Sequence, residues 1–170
     1  MAINYQNAFK EILNALKEII YNETKLPIHF DKDYQARSNQ YFNLKPTSAN
    51  IISRFSGGTT RGYNVNIRYY LQKGNYEKHT HIDYLTDTGE KIQRLFNDKS
   101  NAVSTNDLFQ GVLSTFADSN AQFGAMVAYT FHDGRIEDVA YDPSRDDTEE
   151  VDDLHIVEFE FEAIVTEVFI

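Results

Sequence analysis

Residues 63–72 run Tyr63-Asn64-Val65-Asn66-Ile67-Arg68-Tyr69-Tyr70-Leu71-Gln72, and their reading decides the fold. Tyr63, Val65, Ile67, Tyr69 and Leu71 share one face of an extended chain, and Asn64, Asn66, Arg68, Tyr70 and Gln72 share the other. Successive side chains of a strand point to opposite faces, so this alternation specifies a half-buried strand. Working upstream, Gly57-Gly58-Thr59-Thr60-Arg61-Gly62 has turn chemistry and residues 49–56 are strand-like, which predicts a hairpin over residues 49–72. If that hairpin projects, Arg54, Arg61 and Arg68 make it basic.

Toward the end of the chain the alternation returns. Val157, Phe159, Phe161, Ala163 and Val165 point one way, and Glu158, Glu160 and Glu162 the other. From Ile164 to Ile170 both faces carry apolar residues. A strand over residues 155–170 spans about 50 Å at about 3.3 Å per residue. That is long for a small domain, so the strand either bends or pairs with something else at its end. The glutamates alternate on one face about 7 Å apart and oppose a core face. They fit a solvated or salt-bridged sheet better than an acid–base pair.

Two helices complete the pattern. Tyr5, Ala8, Phe9, Ile12, Leu13, Leu16, Ile19 and Ile20 recur at three- and four-residue steps, with Asn4 as the expected N-cap and Asn22 near the end. Residues 79–97 form a second amphipathic stretch through Ile82, Leu85, Ile92, Leu95 and Phe96, although Gly89 weakens a helix by about 1 kcal/mol relative to Ala. Short strands are expected at 28–30 and 41–44, with Pro27 and Pro46 as breaks. Residues 123–131 are strand-like, His132-Asp133-Gly134 reads as a hairpin turn, and 135–141 as the returning strand. Residues 98–106 are polar loop, and 108–116 fit a short strand or a short helix. The expected architecture is a single α+β domain over residues 1–170, with a mostly antiparallel sheet and both helices on one face.

Charge is divided along the chain. Residues 1–75 carry ten Lys/Arg against five Asp/Glu, a net of +5, and residues 76–170 carry six against twenty-one, a net of −15. A basic front and an acidic back let copies attract head to tail, and such contacts build rings when the rotation closes. The sequence pI near 4.9 argues against tight binding to a nucleic-acid backbone, which needs clustered Lys/Arg. There are no cysteines, which removes disulfides, thiolate nucleophiles and zinc–cysteine sites. No signal peptide or membrane span is expected from the apolar pattern.

Motifs for chemistry are weak. His79-Thr80-His81 is the one close histidine pair, but its rings diverge on a helix, and a catalytic zinc needs a third protein ligand. The acidic segment 142–153, with Asp142, Asp146, Asp147, Glu149, Glu150, Asp152 and Asp153, lacks the central glycine of a calcium-binding loop. It is expected to be an exposed loop. The Gly57–Gly62 run lacks the Lys-Ser/Thr of a phosphate loop and leads into a strand. No catalytic residue, metal or cofactor is expected.

The element order resembles the tail terminator (tail-completion, head–tail joining) proteins of long-tailed bacteriophages. The residues that carry the resemblance are 5–20 for the first helix, 49–72 for the hairpin, 82–96 for the second helix and 157–170 for the final strand. That resemblance implies a virion protein without enzymatic activity, assembled in the host cytoplasm. It also implies a ring, usually hexameric, that caps the tail tube and joins it to head or neck proteins. DNA would pass through an acidic ring without specific binding, since like charges repel the phosphate backbone. The charge division then predicts contact between the hairpin (Arg54, Arg61, Arg68) and the acidic loop (Asp146, Asp147, Glu149, Glu150, Asp152, Asp153) of the next subunit. Alternative readings are another phage tail or connector subunit, such as a tube or head-completion protein, a small adaptor that pairs by its final strand, or a metal-dependent enzyme.

Overall fold

A computed structural model describes residues 7–30, 39–72, 80–98, 107–109, 127–143 and 154–169. The elements in chain order are α1 (Ala8–Thr24), β1 (Ile28–His29), β2 (Gln40–Phe55), β3 (Gly58–Gln72), α2 (Thr80–Asn97), β4 (Val127–Tyr141) and β5 (Leu154–Phe169). The strands form one sheet in the order β1-β2-β3-β5-β4, antiparallel except for the short β1–β2 pair. The α+β class and the mostly antiparallel sheet are those predicted from the alternation.

Helix α1 starts later than the sequence pattern implied. Asn7 accepts from the Lys10 backbone N–H through its side chain, satisfying an otherwise orphaned donor of the first turn, and Asn4, the expected cap, lies outside the described residues. The helix runs past Asn22 to Lys25, whose left-handed backbone closes it by donating to the Tyr21 carbonyl. Ile12, Ala15, Leu16, Ile19 and Ile20 are buried against the sheet. In α2, Leu85, Ile92 and Phe96 are buried, whereas Ile82 from the predicted stripe is exposed. Gly89 has a packing reason: a Cβ there would lie 2.1 Å from the Tyr141 hydroxyl.

Both helices pack on the sheet face formed by Phe42, Leu44, Tyr63, Val65, Ile67, Tyr69, Val157, Phe159, Phe161 and Val165, in one continuous core. Each fully buried large apolar side chain contributes about 1.5–3 kcal/mol. Phe96 meets Phe161 edge to face at 5.2 Å, and Phe109 stacks on Phe131 at 4.5 Å. Residues 107–109 are helical, and Phe109 is buried. A second cluster, Tyr41, Tyr70, Leu154 and Ile156, sits on the opposite face near the chain's crossing into β5.

Three expectations are corrected by the strands, and the course of the last strand, left open by the sequence, is settled. β2 is one continuous strand through Pro46, with register shifts at Pro46/Ser48 and Ile51/Ser53. Proline is tolerated there because β2 is an edge strand, where a missing N–H need not break the ladder. The hairpin tip is only Ser56 and Gly57, since Gly58 to Gly62 are paired inside the sheet. Gly58 is required by close approach rather than by a turn, because a Cβ there would lie 2.1 Å from the Glu167 carbonyl oxygen. His132-Asp133-Gly134 does not turn the chain either: β4 runs straight through, with bulges at Phe131/Asp133 and Ile136/Asp138. Finally, β5 stays paired with β3 as far as Val168 and with β4 as far as Phe169. The hairpin therefore does not project alone, since β4 and β5 run out beside it.

Candidate subunit interface

The distal half of β2 is the least covered part of the described fold. Residues 45–56 are all exposed, on both faces of the strand. Three large apolar side chains stand among them, Ile51 at 48%, Ile52 at 52% and Phe55 at 48% exposure. Strand β1 pairs with β2 only at Phe42 and Asn43. Beyond those residues the outer side of β2 has no partner strand among the described residues. A long, apolar edge strand is a template for another chain, and proteins normally blunt such edges.

The other edge of the sheet is β4. Its centre is blunted by α2: Asn97 accepts from the Ile136 N–H at 2.8 Å and donates to the Ile136 carbonyl at 3.0 Å. One side chain thus satisfies both main-chain groups of a residue beside the Ile136/Asp138 bulge.

Between the edges, the polar sheet face is charged on its β4–β5 side. Arg68 pairs with Glu158 at 2.8 Å across β3 and β5. Arg135 holds Glu137, with Asp133 at 3.8 Å and Glu162 at 3.6 Å. Asp138 and Glu160, both exposed, are directly opposed rungs of β4 and β5. Like charges placed opposite one another cost stability. Beside Glu160 lies a shallow polar depression of about 270 Å³, lined by Thr47, Ser48, Asn64 and Asn66. Asn64 donates to the Ser48 hydroxyl at 3.0 Å, and Thr47 donates to the Asn64 carbonyl at 3.0 Å.

The residues singled out by charge separate on this frame. Arg54 is exposed near the tip of β2, paired in register with Thr59. Arg61 is half-buried beside Tyr63. Burial pushes the Tyr63 hydroxyl above its usual pKa of 10.0, while Arg61 pulls it down. Arg68 is engaged within its own chain. Burial works to lower its pKa, but Tyr70 and Glu158 more than offset that and hold it above the ordinary guanidinium value. Asp146, Asp147, Glu149, Glu150, Asp152 and Asp153 lie outside the described residues.

Asp142, at the root of that segment, has a left-handed backbone with φ 46°. Its N–H donates to the Ile156 carbonyl at 2.8 Å, and its side chain accepts from the Ile156 N–H at 3.0 Å. Its second oxygen meets His155 Nδ1 at 2.9 Å. His79 lies outside the described residues, and His81 stacks on His155 with ring centres 4.4 Å apart. Among the described residues no group of three or more His, Asp or Glu is placed to hold a metal ion, and no helix is long and apolar enough to cross a membrane. The Asn97–Ile136 and Asp142–Ile156 contacts were not foreseen. The available signals were an Asn at a helix C-terminus and an Asp directly after a strand.

No family model matches the chain, and no curated protein matches it. Among solved structures, a chain from the virion of a native gene transfer agent particle is similar over 94% of this chain and 91% of its own, at 10% identity and a TM-score of 0.40. A second solved chain is similar over 94% of this chain and 95% of its own, at 12% identity and a TM-score of 0.42. At those TM-scores neither likeness bears on what the chain does.

Proposed function

We propose that this chain is a structural subunit of a phage-like virion, without enzymatic activity, that assembles into a ring capping the tail tube and joining it to head or neck proteins. The observation that carries this reading is the separation of charge across one sheet. The hairpin β2–β3 bears Lys45, Arg54, Arg61 and Arg68 and no acidic residue. Strands β4 and β5 bear Asp133, Glu137, Asp138, Glu158, Glu160, Glu162 and Glu167 against Arg135 alone. Opposite charges at the two sides of one subunit favour head-to-tail contact between copies and disfavour two-fold contact. The element order along the chain supports the tail-terminator form of this reading. DNA passes through such a ring without specific binding, because the net charge of −10 repels it.

Light scattering across salt concentrations tests the proposal. The expected result is one discrete ring-sized mass at low salt that falls toward the monomer as salt screens the contacts. A monomer at every salt and protein concentration overturns the ring.

A further inference from the structure

Most charges of the polar sheet face are answered within the chain. Arg68 holds Glu158, and Arg135 serves Asp133, Glu137 and Glu162. Asp138 and Glu160, opposed on β4 and β5, meet no cation within ion-pair distance among the described residues. Lys45 shares their row through Asn66, but two strand spacings, about 10 Å, separate it from Glu160. At the far end of the sheet Arg54 is exposed and also without an ion pair among the described residues. It does not reach Glu160 within its own chain. Arg54 pairs in register with Thr59, and Glu160 with Asn66, which lie about 23 Å apart along β3 and on opposite faces of it.

The surroundings of the two sites are complementary. A guanidinium carries only N–H donors, in a fork that matches a carboxylate. Glu160 supplies the carboxylate, and the depression of about 270 Å³ beside it supplies further acceptors. Thr47 donates its hydroxyl proton to the Asn64 carbonyl, and Ser48 accepts from the Asn64 amide, so both hydroxyl oxygens keep a lone pair for an incoming N–H. Arg54, for its part, stands between Ile52 and Phe55, on a strand exposed on both faces. Arginine beside exposed apolar side chains is the composition found at interface centres.

Resting on the ring reading above, we infer that Arg54 of one copy enters the depression beside Glu160 and Asp138 of the next copy. The hairpin tip and the depression are different surfaces of one subunit, so the contact is head to tail and repeats from copy to copy. Tip against tip would place Arg54 near Arg54, and depression against depression would face carboxylates with carboxylates. Ile52 and Phe55 lose exposed surface beside the ion pair, which sets the register of the contact.

Light scattering and sedimentation of full-length chains at low salt test this. Arg54→Glu and Glu160→Arg, each checked for cooperative melting, are expected to weaken self-association at least tenfold. Lys17→Glu makes the same change in net charge on α1 and is expected to leave the mass unchanged. The double variant Arg54→Glu/Glu160→Arg should regain the wild-type mass. An equal mixture of the two single variants should regain it as well, since unlike chains then meet with opposite charges. A wild-type ring that either single variant leaves unchanged overturns this contact and leaves the ring standing. Loss in both single variants without recovery in the double variant overturns the pairing of the two sites, and equal weakening by Lys17→Glu reduces the effect to net charge and overturns it too. A wild-type monomer at every salt and protein concentration overturns the ring and this contact together.

Discussion

Arg68 donates from Nε to Glu158 Oε2 over 2.8 Å, between directly opposed rungs of the two central strands β3 and β5. Both side chains are mostly shielded, at 26% and 20% exposure, so the contact is less screened than a surface ion pair. Arg68→Ala leaves a half-buried carboxylate without its partner and is expected to cost about 2 kcal/mol. For a chain of this size that lowers the melting temperature by about 4–8 °C. Replacing both residues by Met should recover most of the loss, because no charge is then stranded. Equal melting of wild type and Arg68→Ala would show that the pair contributes nothing.

Gly58 and Gly89 both lie under neighbouring atoms, yet their alanine variants should behave oppositely. At Gly58 the obstruction is main chain, with the Glu167 carbonyl oxygen 2.1 Å from a Cβ position and the Val168 Cα at 3.0 Å. Neither atom can move without separating β3 from β5, so Gly58→Ala is expected to cost about 3 kcal/mol or more. At Gly89 the obstruction is the far end of Tyr141, a side chain 46% exposed. Its ring can swing outward, and the helix gains about 1 kcal/mol from replacing Gly by Ala. Thermal melting of the two variants checks this; Gly89→Ala should lie close to wild type and Gly58→Ala far below it.

The contrast between those glycines also shows why parts of the fold were legible and others were not. Strands β3 and β5 announced themselves because each has one buried and one solvated face, which writes period two into the sequence. β2 is exposed on both faces beyond Pro46, so nothing forces alternation on residues 45–56. Without that signal, a 16-residue strand was read as two short pieces. In β4 the bulges at Phe131/Asp133 and Ile136/Asp138 shift the phase, and Gly134 resembled a turn residue. Gly134 is there because a Cβ would sit 2.8 Å from the Phe131 ring and 2.9 Å from the Phe161 ring. Glycine marks close approach as often as a turn, and sequence does not show what approaches. The charge division was visible from composition alone. That Arg68 is spent on Glu158, or that Asn97 guards Ile136, depends on residues 90 and 39 positions apart, beyond the reach of local pattern.

Asp142 combines a left-handed backbone with a side chain that accepts from the N–H of the fully buried Ile156. Asn tolerates that backbone and keeps an acceptor at the same position, whereas Ala does neither. Asp142→Asn should therefore melt within about 1 °C of wild type for a change of a few tenths of a kcal/mol, and Asp142→Ala should lose about 2–3 kcal/mol. Hydrogen exchange at the Ile156 amide gives a local check, since protection there should fall in Asp142→Ala and persist in Asp142→Asn. Equal protection in both variants would mean that the side chain does not hold the start of β5.

Tyr63 gives the sheet an alkaline limit. Burial raises its hydroxyl pKa above 10.0, Arg61 opposes that rise, and Glu167 adds to it. The neutral phenol is therefore favoured in the folded state relative to the unfolded one. Below the unfolded value both states hold the proton and stability does not depend on it. Above that value the unfolded chain releases the proton while the folded chain retains it, so stability falls as pH rises, until the folded pKa is passed. Tyr141 shifts in the same direction, through burial and then Glu90, and adds to the decline. Melting temperatures between about pH 9 and 11.5 should drop for wild type, since the unfolded phenol titrates near 10. Tyr63→Phe removes the titrating group while keeping a ring to meet Phe9, whose centre lies 5.2 Å from that of Tyr63. Its melting temperature should fall less steeply over that range, and combining it with Tyr141→Phe should flatten the decline further. A decline of identical steepness in wild type and both variants would place the alkaline sensitivity elsewhere in the chain.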